Sequence, residues 1–187
     1  VRVVFWLLTV VVTAVVTAFV VVHVVRFDGG PLDRGVGNGV GGPWPADVAL
    51  GLGMLELHNS SGHPVTIQRI RLGPHTPGIR YLGALIARPH CPGAVTLAAY
   101  PPRSDACHYV SADELTVPPH ATIDGYVGVE APTGKYRVHG VVVDYMRRLA
   151  PGVTLKMRAR VGPLWSMCMT PHWPRRLCKP PSLGTGA

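Results

Sequence analysis

Thr154-Leu155-Lys156-Met157-Arg158-Ala159-Arg160-Val161 alternates apolar and polar side chains without a break. Successive side chains of an extended chain point to opposite faces, so Leu155, Met157, Ala159 and Val161 share one side. Lys156, Arg158 and Arg160 share the other. A helix would scatter both sets around its circumference. The stretch reads as a half-buried strand whose outer face is basic.

The same reading extends upstream. Leu50 to His58, Val65 to Leu72, Thr122 to Glu130 and Lys135 to Tyr145 are expected strands, with Ile79 to Ala87 and Ala94 to Tyr100 as weaker ones. In Val65 to Leu72 the apolar parity changes between Ile67 and Ile70, which predicts a β-bulge near Gln68. Asn59-Ser60-Ser61-Gly62 is a turn, and Ala112 to Leu115 fits one helical turn. About seven short strands with frequent turn residues in ~125 residues indicate an all-β sandwich.

Between Pro119 and Tyr145 lie a Pro-Pro turn, a strand, the corner Ala131-Pro132-Thr133-Gly134, then Tyr136 and a Val-rich strand. This resembles the E-to-F step of immunoglobulin-like sandwiches, where a Gly-x-Tyr "tyrosine corner" bonds back to the backbone. Gly134 and Tyr136 match it, while Val138 stands where antibody domains carry cysteine. The resemblance is to the broad, disulfide-independent immunoglobulin-like class, similar to membrane-anchored bacterial envelope proteins. It implies a fold and carries no activity.

Ahead of this domain, Val3 to Val25 is apolar without a charged side chain and is framed by Arg2 and Arg26. At about 1.5 Å per residue it makes a helix of roughly 35 Å, the length of a bilayer crossing. No small-x-small cleavage site follows, so residues 1–26 are expected to be an uncleaved signal-anchor helix. Thr9, Thr13 and Thr17 share one helical face, their hydroxyls suited to a carbonyl one turn back or to a partner helix. Residues 27–45 are rich in Gly and Pro and read as a flexible linker, 46–170 as the sandwich, and 171–187 as a tail.

Four cysteines, Cys91, Cys107, Cys168 and Cys178, all follow the anchor. An even number in an anchored domain suggests two disulfides and an extracytoplasmic location, with Cys91–Cys107 and Cys168–Cys178 as the local pairings. Two metal sets compete with this. His90-Cys91 and Cys107-His108 hold a complete zinc donor set, and Met167-Cys168-Met169 with His172 and Cys178 offers the soft ligands that copper(I) selects. On a strand, however, Met167 and Met169 point away from Cys168, which favours two core methionines beside a disulfide. If the chain were eukaryotic, Asn59-Ser60-Ser61 would be a glycosylation sequon.

The net charge is +8, nearly all from Arg. A basic domain beside a membrane attracts anionic head groups or envelope polymers. Nucleic acid is not expected, because the base-stacking aromatic ladder of a single-strand binder is missing. No nucleophile elbow or phosphate loop occurs, so neither an enzyme nor a cofactor is expected. The expectation is a single-pass, membrane-anchored, extracytoplasmic immunoglobulin-like sandwich with a structural or interaction role. It presents Arg147, Arg148, Lys156, Arg158 and Arg160 to the lipid bilayer, a protein partner or an anionic envelope component. The alternative is a copper-handling envelope protein using the Met167-Cys168-Met169, His172 and Cys178 cluster.

Overall fold

The computed structural model describes residues 2–23, 26–28, 30–34, 41–87, 97–102, 107–150 and 153–171. One helix, α1 (Arg2–His23), precedes twelve strands. These are β1 (Arg26–Asp28), β2 (Leu32–Arg34), β3 (Gly41–Pro45), β4 (Leu50–Asn59), β5 (Val65–Leu72) and β6 (Arg80–Ala87). After them come β7 (Leu97–Ala99), β8 (Tyr109–Ser111), β9 (Thr116–Val117), β10 (Thr122–Glu130), β11 (Gly134–Ala150) and β12 (Val153–Thr170). The strands form two six-stranded sheets.

The first sheet runs β1-β12-β11-β5-β9, with β3 also on β12; the second runs β2-β4-β10-β6-β8, with β7 also on β4. The central triplets β12-β11-β5 and β4-β10-β6 reproduce the G-F-C and B-E-D orders of immunoglobulin-like sandwiches. The chain therefore has the broad immunoglobulin-like fold.

All seven expected strands are present. Five short ones (β1, β2, β3, β8 and β9) join them through pairings that no local pattern announces. Three of these five lie in residues 27–45, expected to be a free linker, or at its edge: β1 and β3 pair in parallel with β12, and β2 pairs with β4. The helical turn expected at Ala112 to Leu115 is instead a tight turn closed by Leu115 N–H on the Ala112 carbonyl, with Glu114 at φ 64°.

Two bulges bring both halves of a strand onto the core. In β5, Asp144 of β11 faces Arg69 while Tyr145 faces Ile67, so Gln68 is the extra residue at the expected position. Val65, Ile67 and Ile70 are all buried as a result. In β4, Gly125 faces Leu55 and Val127 faces Leu52, leaving Gly53 and Met54 opposite one residue. Leu50 and Leu52 on one side of the bulge and Leu55 and Leu57 on the other all enter the core. The bulge also frees the Gly53 carbonyl, which accepts the indole N–H of fully buried Trp165 at 3.0 Å. That bond joins β12 to β4 across the sandwich.

β12 keeps its inward parity over its whole length. Met157, Ala159, Val161, Trp165, Met167 and Met169 are buried. Val138, at the cysteine position of antibody domains, is fully buried opposite Trp165. Tyr136 is buried and its ring lies over Gly134 and Gly78.

Asn59 closes one end of the sandwich. It is fully buried and donates its side-chain amide to the carbonyls of His63, Val117 and Pro118 at 2.9, 3.2 and 2.9 Å. Its Oδ1 accepts from Ser61 N–H and Ser61 Oγ. An amide so enclosed is not a glycosylation acceptor in the folded chain, which overturns the sequon reading.

The passage from β1 to β2 crosses between sheets and is held on both sides. Ser60 donates N–H and Oγ to the Pro31 carbonyl, both at 2.9 Å. The Tyr145 hydroxyl is hydrogen-bonded to the Leu32 backbone and lies so close to Gly30 that a Cβ there would collide with it. Gly30, at φ 105°, is the residue that permits both the turn and the approach.

Along α1, Thr13 Oγ1 donates to the Thr9 carbonyl at 2.9 Å, the local bond open to it. The side chains described on this helix run from Trp6 to Phe19, about 21 Å of rise, and all are exposed. Among the described residues no helix is long and apolar enough to cross a membrane. A helix stands where residues 3–25 predicted one; whether it spans is a matter of function.

Two outcomes test the core. Trp165→Phe leaves the Gly53 carbonyl buried without a donor and should cost about 1–3 kcal/mol in denaturant unfolding; an unchanged midpoint would show the cross-sheet bond to be dispensable. Burial pushes the Tyr145 hydroxyl up to about 12 from 10. The folded state therefore holds that proton more tightly, so this contribution is complete below pH 10 and is lost as pH rises towards 12. Unfolding followed from pH 9 to 12 should show falling stability, with a shallower fall in Tyr145→Phe.

Candidate functional site

The outer face of the β5-β11-β12 sheet carries the chemistry. Because Met157, Ala159 and Val161 point inward, Lys156, Arg158 and Arg160 line the opposite side. The pairing register sets them in rows. Arg160 pairs with Val142, which pairs with Arg71; Arg158 pairs with Asp144, which pairs with Arg69; Lys156 pairs with Met146, which pairs with Thr66. The result is five cations around one carboxylate, with Val142 and Met146 half-buried between them.

Asp144 organises this face. It is buried, and its Oδ1 accepts from Arg158 Nε at 2.8 Å while Oδ2 accepts from Arg71 at 3.2 Å. The two guanidinium groups keep 36% and 43% of their side-chain surface in water, so they stay available to a partner while held in place. Arg69 and Arg160 are exposed. The sequence singled out Lys156, Arg158 and Arg160 but missed Arg69 and Arg71, which join the face only because β5 pairs with β11. The alternation after the Gln68 bulge is the signal that would have found them.

The other expected contacts separate. Arg148 is exposed at the β11–β12 hairpin. Arg147 pairs with Val65 and Leu155, on the core-side parity, and its Nε is buried without a hydrogen-bond partner among the described residues. It belongs to the end of the sandwich and not to the outer face.

On the opposite sheet the middle of the outer face is covered by the chain itself, while Glu56, Thr122 and Asp124 towards its end are exposed. Gly51, Gly128 and Gly83 are in register across β4, β10 and β6 and form a row without side chains. The ring of Tyr100 lies against Gly128, with its hydroxyl beside Gly83. Burial there raises the Tyr100 hydroxyl above its ordinary value. Beside it, Tyr126 is buried and meets Tyr109 edge-on, ring centres 5.7 Å apart.

Among the described residues the sulfur and histidine side chains do not converge. Cys107 is buried and free, so the expected Cys91–Cys107 bridge is not formed. Cys168 is disulfide-bonded; its partner, like Cys91, Cys178, His90 and His172, lies outside the described residues. Met167 and Met169 are core residues on the face opposite Cys168, and this strand geometry keeps the three from meeting at one metal. His108 is exposed beside buried Cys107. His58 bonds Thr122 Oγ1 across the β4–β10 pair, and His75 bonds the Gly73 carbonyl within its own turn. Among the described residues no group of three His, Cys, Asp or Glu side chains is placed to hold a metal ion.

Asp144→Asn removes the charge that holds Arg71 and Arg158 together. Breaking a buried pair costs about 3–5 kcal/mol, but with both arginines over a third exposed the expected loss is about 1–2 kcal/mol. The deficit should shrink in 1 M salt, which screens the residual repulsion between the arginines; equal deficits at low and high salt would argue against it. No protein-family model matches the chain, and no curated protein matches it. Among solved structures it is similar to the ASH/PapD-like domain of human CEP192 (PapD-like domain 7), at 10% identity and TM-score 0.36 over 81% of this chain and 96% of that one.

Proposed function

We propose that this protein is a membrane-anchored, extracytoplasmic interaction module that presents the arginine-rich face of β5, β11 and β12 to an acidic partner, a protein or an anionic envelope polymer. One observation carries the reading: the outer face of β5, β11 and β12 holds Arg69, Arg71, Lys156, Arg158 and Arg160 in register around buried Asp144, whereas on the other sheet the middle of the outer face is a glycine strip under Tyr100. A protein that needed only solubility would not require its arginines in register or tied to a buried aspartate. Fixed guanidinium groups lose less freedom on meeting carboxylates or phosphates than free side chains do.

Anchoring by α1 is supported by its composition and exposure. Val3 to Val25 is uncharged, and Trp6, Leu7, Val15 and Phe19 are 61–70% exposed, so the sandwich covers none of them. A helix apolar all round belongs in lipid or in another apolar environment. The disulfide at Cys168 supports an oxidising compartment.

Binding of the full chain in detergent micelles to a polyglutamate peptide tests the face. Arg69→Glu with Arg160→Glu should weaken binding at least about tenfold at low salt, as charge complementarity requires. Both side chains are exposed, so folding should survive. Equal affinity of the variant and the parent would remove this face from the function.

A further inference from the structure

The register of β1 places a second feature beside the anchor. Arg26 pairs with Lys156 and Asp28 with Arg158, both in parallel, so β1 and β12 run together away from α1. Only residues 24 and 25 separate the end of α1 from β1, a reach of at most about 10 Å. β12 begins at Val153, three residues before Lys156, so its start projects back towards the helix by about 10 Å of strand. The start of β12 therefore lies level with the end of α1, and α1 and β12 are in contact.

The residues at that level have an unusual character. Outside the helix, the large apolar side chains exposed among the described residues are Val48, Val153 and Leu164. Leu164 pairs with His139 near the opposite end of the ladder, and Val48 follows β3, whose Pro45 pairs with Thr170. Val153 alone of these lies at the helix end, 37% exposed, with Ala150 exposed opposite it and Arg148 exposed one pair away. An exposed apolar residue flanked by cations suits the boundary between head groups and acyl chains.

Resting on the reading of α1 as the anchor, we infer that the start of β12 and the end of β11 form a second membrane contact. Val153 and Ala150 enter the interface, and Arg148 meets anionic lipid head groups. Two contacts on one rigid ladder would fix the tilt of the sandwich and hence the direction in which the arginine face is presented.

Photo-crosslinking of the full chain in vesicles of phosphatidylcholine with a third phosphatidylglycerol tests this. p-Benzoylphenylalanine is placed in turn at position 12 in the helix, at 153, and at 164 as an exposed control away from the anchor. Lipid adducts at 12 and 153 but not at 164 are expected. Adducts at 12 without any at 153 would overturn the second contact and leave the anchor standing. Adducts at 153 without any at 12 would uphold the contact and remove the anchor, and none at either position would remove both. Adducts at all three positions would overturn a localised contact. In the 153 protein, Arg148→Glu should lower the lipid adduct about fivefold in the anionic vesicles and leave it unchanged in pure phosphatidylcholine. An equal yield in the anionic vesicles would remove the head-group role of Arg148.

Discussion

The antiparallel ladder of β11 and β12 is the constraint on which the other parts depend. It pairs Gly134 with Met169 at one end and Ala150 with Val153 at the other. Each strand carries core residues on one side and polar residues on the other, so one pairing fixes both the interior and the arginine face. β5 docks on β11, and β1 and β3 dock on β12, so the first sheet is assembled on this hairpin. The second sheet is tied to it through Trp165 and Gly53.

Asp144 shows how one buried group orders a charged face. An unpaired carboxylate on a half-buried sheet would be costly, and an unopposed row of arginines would repel itself. Arg71 and Arg158 solve both problems by donating to the two oxygens of one group. Arg69 and Arg160, both exposed, stand in the neighbouring register positions of the same face. The centre of the face is held in place because its ion pairs are built on a buried carboxylate.

The two sheet faces illustrate how glycine and arginine set opposite fates. Gly51, Gly128 and Gly83 leave a flat backbone strip that the chain covers with its own tyrosine. Arg69, Arg71, Arg158 and Arg160 cannot be covered by an apolar segment without the loss of their hydration. The asymmetry follows from which residues occupy the outward parity of each sheet.

Strict alternation made β12 legible from Thr154 to Val161, and the parity change in Val65 to Leu72 located its bulge, because both depend only on the two-residue period of a strand. The class of fold and the basic character of one face followed from those patterns. Other features were set by partners distant in sequence. The strand expected over Thr154 to Val161 continues to Thr170 because a bulge opposite Gly140 absorbs Gly162 and Pro163, and Met167 and Met169 are core as their alternation with Cys168 suggested. The Gly- and Pro-rich stretch before the sandwich reads as a tether, yet backbone pairing with β12 and β4 makes strands of it. Asn59 and Cys107 were misread for the same reason: burial and bonding partners, and not residue type, decide whether an amide or a thiol is available. Local periodicity determined which residues face inward; only tertiary pairing decided which strands are neighbours, and with that which arginines stand together.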